Sequence, residues 1–296
     1  MYRLQYCLFC LLMTGSLFAQ LPNTQVYVFD MAVRDTSITF SKPLYVSGFN
    51  PKGYNNQPGW IDRNNLLMTV AMPGDDQPEI YKMDLARRKK TRLTATASGE
   101  FSPKVMSTGT KFSAVRQEVI GQDTVLRLWE FPLDLTTNGK PVFSQITGTG
   151  YYEWLNSVQL ALFQVEDPSK LMLAATDNGA PTQLAKRIGR SFARQPNGNL
   201  AYVDKSRQPW RIVEKSLYRL NDPATLVTEV RPGSEDFSIL PDGSYIMGQG
   251  SKLYRFDPLR NPRWVELTDL RLYGIRGITR ISTNNFGRIA IVATGR

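Results

Sequence analysis

The residues of this sequence that could bind a ligand or do chemistry are polar, charged and aromatic side chains that stand about four to nine positions before the second residues of six tight turns. They include carboxylates, guanidinium groups, amides and rings, which would converge if the segments before the turns surrounded one axis. A concave opening at which several such side chains converge is the usual first candidate for a binding site. The alternative is that these charges only pair with one another across the axis. The candidate binding residues are Asn56, Gln57, Glu100, Phe101, Tyr151, Tyr152, Glu153, Arg190, Glu235, Asp236 and Arg280.

Two further chemistries are open to the adjacent acids Glu235 and Asp236. Their oxygens could hold calcium, although two carboxylates supply only part of a calcium coordination shell. They could also serve as the acid and base of a glycosidase, which depends on a defined separation between the two carboxyl groups. We expect no cofactor and no catalytic residue, with a calcium site and a glycoside hydrolase as the alternatives.

The sequence contains no histidine, and this removes several classes of enzyme. Histidine is the usual acid–base group near neutral pH and the commonest metal ligand. Ser-His-Asp hydrolases, histidine-held zinc, iron or copper sites, and lyases that depend on histidine-held manganese are therefore excluded. No glycine-rich phosphate loop or nucleic-acid-binding motif is present, so we expect no nucleic-acid partner.

Residues 1–19 have the pattern of a secretory signal peptide. Arg3 gives a positive start, an apolar stretch runs over 6–13, and Ala19 ends the segment before Gln20. We expect cleavage after Ala19 and a periplasmic or secreted protein. No later stretch approaches the length of a transmembrane helix.

Both cysteines, Cys7 and Cys10, fall inside this predicted leader. The mature chain would then lack cysteine and would have to be held together by burial and backbone pairing alone. Phe9 is larger than the residue that precedes the acceptor cysteine of a lipoprotein, so lipidation at Cys10 is the less favoured alternative.

The chain carries a formal net charge of +10, and its densest basic run is "ARRKKTR" at 86–92. A positive balance favours acidic partners such as anionic envelope components. The alternative is a solvated basic surface, and we place the run in an exposed loop between a third and a fourth strand. The five tryptophans are assigned to packing between blades rather than to sugar platforms, and Trp210, in a polar stretch, is the one for which exposure is the alternative.

The six tight turns recur at nearly constant spacing, and each leads into an apolar strand. Their second residues are 41 to 48 positions apart, at Asn64, Gly109, Ser157, Gly198, Gly243 and Gly287. The Asn-Gly and Asp-Gly turns favour two-residue hairpins in which both central residues have positive φ. A unit of this length with several short alternating strands is typical of one β-propeller blade.

A short phrase that contains Tyr-x-x-Asp or a close variant marks the third strand of a blade, at 79–85, 216–222 and 252–258. The same phrase appears first at 25–31. The sixth turn leaves only nine residues, enough for a second strand. We therefore predict that 25–31 and 42–48 supply the third and fourth strands of the last blade, with Val26–Phe29 beside Ile289–Val292. The predicted fold is all-β, a six-bladed β-propeller of four-stranded blades in a single domain over 20–296.

These units resemble the TolB-like, WD-type propeller repeats of periplasmic bacterial proteins. The segment "NNQPGWIDRNNLLMTVAMPGDDQPEIYKMDLARRKKTRLTAT" at 55–96 follows that repeat over one full unit, and 98–118 and 235–270 match parts of it. The resemblance implies a six-bladed propeller over most of 24–296. It says less about activity, because propellers host unrelated functions.

From the fold, the predicted leader and the ring of charged residues, we expect an exported, non-catalytic scaffold. Its rim or channel would bind a protein or peptide partner of the cell envelope. A module that binds cell-wall glycan, or a propeller glycoside hydrolase, is the alternative.

Overall fold

The computed structural model describes residues 21–34, 37–177 and 179–295, and over these residues the chain forms six four-stranded antiparallel sheets. The sheets follow one another around a ring, so the predicted six-bladed β-propeller is confirmed. The predicted signal peptide, with both cysteines, lies outside the described residues. In the described part of the chain, no helix is long and apolar enough to cross a membrane.

The blades are numbered from the first complete one. Blade one holds β3 (Tyr54–Trp60), β4 (Asn65–Ala71), β5 (Glu79–Asp84) and β6 (Lys89–Arg92), and blade two holds β7 (Gly99–Val105), β8 (Lys111–Ile120), β9 (Asp123–Pro132) and β10 (Lys140–Pro141). Blade three holds β11 (Thr149–Trp154), β12 (Gln159–Gln164), β13 (Lys170–Ala175) and β14 (Thr182–Lys186).

Blade four holds β15 (Ile188–Arg194), β16 (Leu200–Asp204), β17 (Arg211–Lys215) and β18 (Thr225–Glu229). Blade five holds β19 (Phe237–Ile239), β20 (Tyr245–Gln249), β21 (Lys252–Asp257) and β22 (Asn261–Asp269), followed by a 3-10 helix, Arg271–Tyr273. Blade six joins the two ends of the chain: β23 (Ile278–Asn284), β24 (Arg288–Thr294), β1 (Thr24–Arg34) and β2 (Ser37–Tyr45).

The second strands are nearly continuous apolar runs because both of their faces are buried between neighbouring blades. In β4, for example, Leu66, Leu67 and Met68 have no exposed surface. Six buried apolar clusters are found among the described residues, one at each interface between successive blades. The core is therefore a ring of inter-blade layers rather than one central mass.

The first described strand closes the ring as the sequence predicts. β1 pairs antiparallel with β24, and the register sets Val26 opposite Val292 and Phe29 opposite Ile289. Val26 and Phe29 are fully buried. The pairing covers an edge of β24 that would otherwise be open to another chain.

The Asn-Gly and Asp-Gly hairpin turns have one left-handed residue where two were predicted. In the blade-five turn, the backbone N–H of Gly243 donates to the carbonyl oxygen of Leu240 at 2.9 Å, and Gly243 has φ of +83°. Asp242 keeps a negative φ, as Asn197 does in blade four. These are longer loops built on a type I turn with a left-handed glycine after it, so the prediction of two-residue turns is wrong.

The phrase at 216–222 is not a third strand. In blade four that strand is β17, and Lys215 at its end pairs with Leu200, the first residue of β16. All five residues of β16 are then paired with β17, so the phrase at 216–222 has no partner strand there and falls in the loop before β18. Tyr218 is 77% exposed there, with its ring over Gly198.

The basic run at 86–92 is exposed, as predicted, but only its first half is a loop. Residues 89–92 form β6, the outer strand of blade one. Arg87 pairs with Asp84 at 2.9 Å, and Arg92 reaches back to Glu79 at 2.8 Å.

Candidate functional site in the central channel

The inner strands of the six blades, β3, β7, β11, β15, β19 and β23, surround a central channel. A cavity of about 420 Å³ lies in this channel, and every inner strand contributes to its wall. Trp60, Val105 and Thr283, which lie near the hairpin ends of their strands, belong to this wall. We call the cavity the turn-side chamber.

A second cavity of about 270 Å³ lies on the opposite side, where the connecting loops enter the inner strands. Gly233, before β19, and Ile278, at the start of β23, line it, and we call it the loop-side chamber. Arg190, Asp236 and Arg280 line both cavities, so they lie between the two chambers.

A cross-channel network separates the chambers. Nε of Arg190 and Nη1 of Arg280 lie 3.3 and 3.6 Å from the same Oδ2 atom of Asp236. Nη2 of Arg280 donates to the hydroxyl of Tyr151 at 2.9 Å, and Nη2 of Arg190 donates to the carbonyl oxygen of Thr279 at 2.8 Å. Because Tyr151 belongs to blade three and Arg280 to blade six, this network spans the ring. We call Tyr151, Arg190, Asp236 and Arg280 the channel septum.

A β-bulge in β15 helps to aim Arg190. Pairing with β16 is irregular between Ile188 and Phe192, and such a bulge re-aims the side chains around it. The backbone N–H of Arg190 donates to Oε1 of Glu235 at 2.6 Å. A Cβ at Gly189 would lie 2.7 Å from the same oxygen, so the close approach of Glu235 requires glycine there.

Most of the predicted residues lie on the chamber walls. The turn-side chamber is lined by Gln57, Tyr151, Tyr152, Glu153, Arg190, Asp236 and Arg280, and the loop-side chamber by Glu235 together with the last three residues of the septum. Asn56, Glu100 and Phe101 line neither chamber, so their predicted place on the channel wall is wrong. Gln57 and Ser102 lie on the wall, whereas Phe101, directly before Ser102, packs against the apolar cluster between blades two and three.

Glu100 is fully buried at the interface of blades one and two. Nε of Arg116 donates to its Oε1 atom at 2.9 Å, and the hydroxyl of Thr96 donates to the same atom at 2.7 Å. Ser102 has a left-handed φ of +54°, which interrupts the strand alternation that would have aimed Glu100 at the channel.

Glu79 of β5 meets Glu100 within this interface. Burial, and the hydrogen bond between the two carboxyl groups, raise the pKa of Glu100 to about 7. The Oε2 atom of each carboxyl group has no other hydrogen-bond partner among the described residues. The raised pKa favours the protonated form of Glu100 in the folded state, and Glu100 is a structural residue rather than a channel ligand.

Tyr152 and Glu153 line the turn-side chamber, but the side chains of both contact residues of blade two. The hydroxyl of Tyr152 lies 2.9 and 2.7 Å from the carbonyl oxygens of Ser102 and Ser113. Burial raises the pKa of Tyr152, so this hydroxyl stays protonated. Glu153 forms an ion pair with Lys104. Both contacts fasten blade three to blade two along the channel.

Several residues in and around the channel were missed from the sequence, among them Lys104, Arg194 and Tyr54. Lys104 lies in the stretch 102–105, all of which lines the chamber, so extending the count forward from Ser102 would have found it. Tyr54 is buried close to the septum: burial raises its pKa to about 12, against the opposing charges of Arg280 and Arg190. No turn-based count reaches Tyr54, because it lies three residues before Gln57.

The adjacent acids Glu235 and Asp236 diverge into different contacts. Oε1 of Glu235 lies 2.9 Å from Nζ of Lys205, and that ammonium group lies 4.1 Å from the ring centre of Trp210. Asp236 is held by the two septum arginines. Trp210 is half-buried under Lys205 rather than exposed. In the described part of the chain, no three histidine, cysteine, aspartate or glutamate residues group as metal ligands.

The septum is built for binding more than for proton transfer. Burial raises the pKa of Asp236, and the charges of Arg280 and Arg190 oppose that rise. Two guanidinium groups nevertheless occupy the Oδ2 atom of this carboxylate, and protonating it would weaken both ion pairs. The arrangement can recognise charged and aromatic groups that enter the channel.

No protein-family model and no curated protein matches the sequence. Solved structures do match in fold. A putative TolB from Agrobacterium tumefaciens superposes with a TM-score of 0.66 at 11% identity, covering 92% of this chain and 98% of that one.

TolB from Acinetobacter baumannii superposes with a TM-score of 0.59 at 12% identity. The match covers 92% of this chain and 65% of that TolB chain. An oligogalacturonate lyase from Vibrio parahaemolyticus gives 0.55 at 13% identity, over 85% of this chain and 80% of the lyase. Identities this low show the fold alone. The fold of this chain is that of a TolB-like six-bladed β-propeller.

Proposed function

We propose that this chain is an exported, non-catalytic scaffold that binds a polypeptide segment of a cell-envelope protein in its central channel. The observation that carries the proposal is the turn-side chamber. Its volume falls within the range of known ligand sites, and charged and aromatic side chains from several blades converge in it. Three septum residues, Arg190, Asp236 and Arg280, lie between it and the loop-side chamber.

The contacts of the acidic residues favour binding over catalysis. Asp236 is engaged by two arginines and Glu235 by Lys205, so neither carboxylate is placed to exchange protons with a substrate. The sequence also has no histidine to take that part.

Export rests on the predicted leader at 1–19. N-terminal sequencing of the protein recovered from the periplasm or medium of its host should begin at Gln20. Recovery of the full-length chain in the cytoplasm would contradict export. Labelling of Cys10 by a fatty-acid probe would instead identify the lipidated form.

Photo-crosslinking in living cells tests the peptide-binding proposal. The photoreactive residue p-benzoyl-phenylalanine replaces Val105 on the chamber wall, or Tyr218, which is exposed in the blade-four loop, as the matched control. We expect adducts from position 105 that map to one contiguous segment of an envelope protein. Equal adducts from both positions, or no protein adduct from position 105, would contradict the proposal.

Glycan binding or hydrolysis is the second candidate, favoured by the fold shared with the oligogalacturonate lyase. A screen of wall glycans and glycosides decides it. Turnover that is abolished by Asp236→Asn would establish a hydrolase, and retention on a wall-glycan column without protein adducts would establish a glycan-binding module.

A further inference from the structure

The turn-side chamber is electropositive. Four basic side chains and two acidic ones line it within the described residues: Lys104, Arg190, Arg194 and Arg280, against Glu153 and Asp236. A low-dielectric cavity lined by one sign of charge concentrates ions of the opposite sign. The lining thus favours an anion.

The two septum arginines are incompletely neutralised. They share one oxygen of one carboxylate, at 3.3 and 3.6 Å, where a charge-assisted hydrogen bond usually measures about 2.7–2.9 Å. Glu153 is already paired with Lys104 and offers them no second carboxylate. One further carboxylate would complete the charge balance of the arginines.

Arg280 is positioned to bind such a carboxylate. Its Nη2 atom is oriented by the hydroxyl of Tyr151, and the side chain is 14% exposed, so the guanidinium is held in place yet reachable from the chamber. Guanidinium groups bind carboxylates through paired N–H groups.

We infer that the turn-side chamber binds the carboxylate of an extended peptide, with Arg280 and Arg190 as the groups that recognise it. The inference rests on the proposed peptide-binding function and names the chemistry of the ligand. The carboxylate belongs either to an acidic side chain or to the C-terminus of the peptide. It enters from the turn side and stops at the septum.

Isothermal titration with four short peptides tests this inference. The probes are N-acetyl-tetraglutamate amide, its tetraglutamine counterpart, and tetraalanine as the free acid and as the amide. Preference for tetraglutamate over tetraglutamine identifies a side-chain carboxylate, and preference for the free acid of tetraalanine over its amide identifies a C-terminal one. Either result supports the inference.

Two septum variants should shift affinity in opposite directions. Arg280→Gln removes a charge-assisted hydrogen bond and should weaken binding of the preferred peptide by about tenfold or more. Asp236→Asn removes the competing carboxylate and should strengthen binding. The double variant Lys89→Gln/Lys90→Gln, on the exposed basic run, should bind as the wild type does. Arg280→Lys keeps the charge without the paired donors, and it should bind with intermediate affinity.

The outcomes separate this inference from the proposed function. Equal binding of charged and neutral peptides, with no effect of Asp236→Asn, overturns the carboxylate inference and leaves a peptide-binding channel. Loss of binding in the Lys89/Lys90 variant would overturn it in favour of a surface contact. Failure of all four peptides to bind, with trigalacturonate bound instead, overturns both in favour of the glycan candidate. Unchanged circular dichroism and melting temperature confirm that the variants are folded.

Discussion

The buried pair Glu79 and Glu100 should make the propeller less stable as pH rises from mildly acidic to neutral. Glu100 has no exposed surface, and Glu79 has 1%. Burial, together with the carboxyl neighbour, raises the pKa of Glu100 from 4.5 to about 7. Between these two values the folded state holds a proton that the unfolded state has released, so the free energy of unfolding must fall as pH increases.

The structure sets the size of this effect. A pKa raised from 4.5 to about 7 corresponds to a loss of up to about 3 kcal/mol across that window. In a domain of this size, a change of that order lowers the melting temperature by roughly 6–12 °C. Asp30, Asp84, Asp242 and Asp269, whose pKa values are lowered by their partners, titrate below this window. Asp236, whose pKa is raised by burial, is present in the wild type and in both variants, so the difference between their profiles isolates Glu100.

Glu100→Gln should remove this pH dependence. The amide imitates a protonated carboxyl: its oxygen can accept from Arg116, and its NH₂ group can donate to Glu79. We expect the variant to match the wild type near pH 5 and to melt above it near pH 8. Glu166→Gln is the matched control, because it removes one carboxylate from a half-exposed ion pair with Lys170.

Calorimetric melting temperatures of the three proteins, measured from pH 4.5 to 8 at constant ionic strength, provide the test. The Glu166→Gln profile should run parallel to that of the wild type. If the Glu100→Gln profile runs parallel to them as well, Glu100 does not retain its proton in the folded state across this window, and our interpretation of this interface is wrong.

Two further substitutions test the architecture. Gly59→Ala places a Cβ 2.0 Å from the carbonyl oxygen of Pro103 and should cost about 1–3 kcal/mol in urea unfolding. Gly179→Ala, whose Cβ would meet only Oδ1 of Asp177 at an ordinary contact distance of 3.4 Å, should be nearly neutral. Phe29→Ala should destabilise by about 3–5 kcal/mol, comparable with Ile291→Ala beside it in the same sheet. An unchanged urea midpoint for Phe29→Ala would contradict closure of the ring by the N-terminal strand.

The fold was predictable from the sequence because its signals are local and repeated. The turn positions give the number of blades, and the shortage of residues after Gly287 predicts the pairing of Val26–Phe29 with Ile289–Val292, which the register confirms. The phrase at 216–222 misled because the length of its partner β16, and not the phrase itself, decides which residues form the third strand.

The channel was predictable only in part. Counting back from the turns reached Asp236 and Arg280, since the hairpin fixes strand phase at those positions. The count failed at Glu100, where a left-handed serine breaks the phase. Ser102 is a non-glycine residue directly before a proline, and nothing in its identity announces a positive φ.

The candidate site and the closure of the ring depend on each other. Arg280 lies on β23, whose blade is complete only when β1 pairs with β24, and its partners Tyr151 and Asp236 come from blades three and five. If blade six opens, it carries Arg280 away from both partners, and the septum is lost before the other blades unfold.

A peptide that binds only the closed ring must therefore stabilise the ring, by an amount set by the peptide concentration relative to its dissociation constant. The preferred peptide should slow hydrogen exchange in β1 and β24 most strongly, although neither strand lines the chamber. Protection confined to the chamber wall would mean that binding and ring closure are independent.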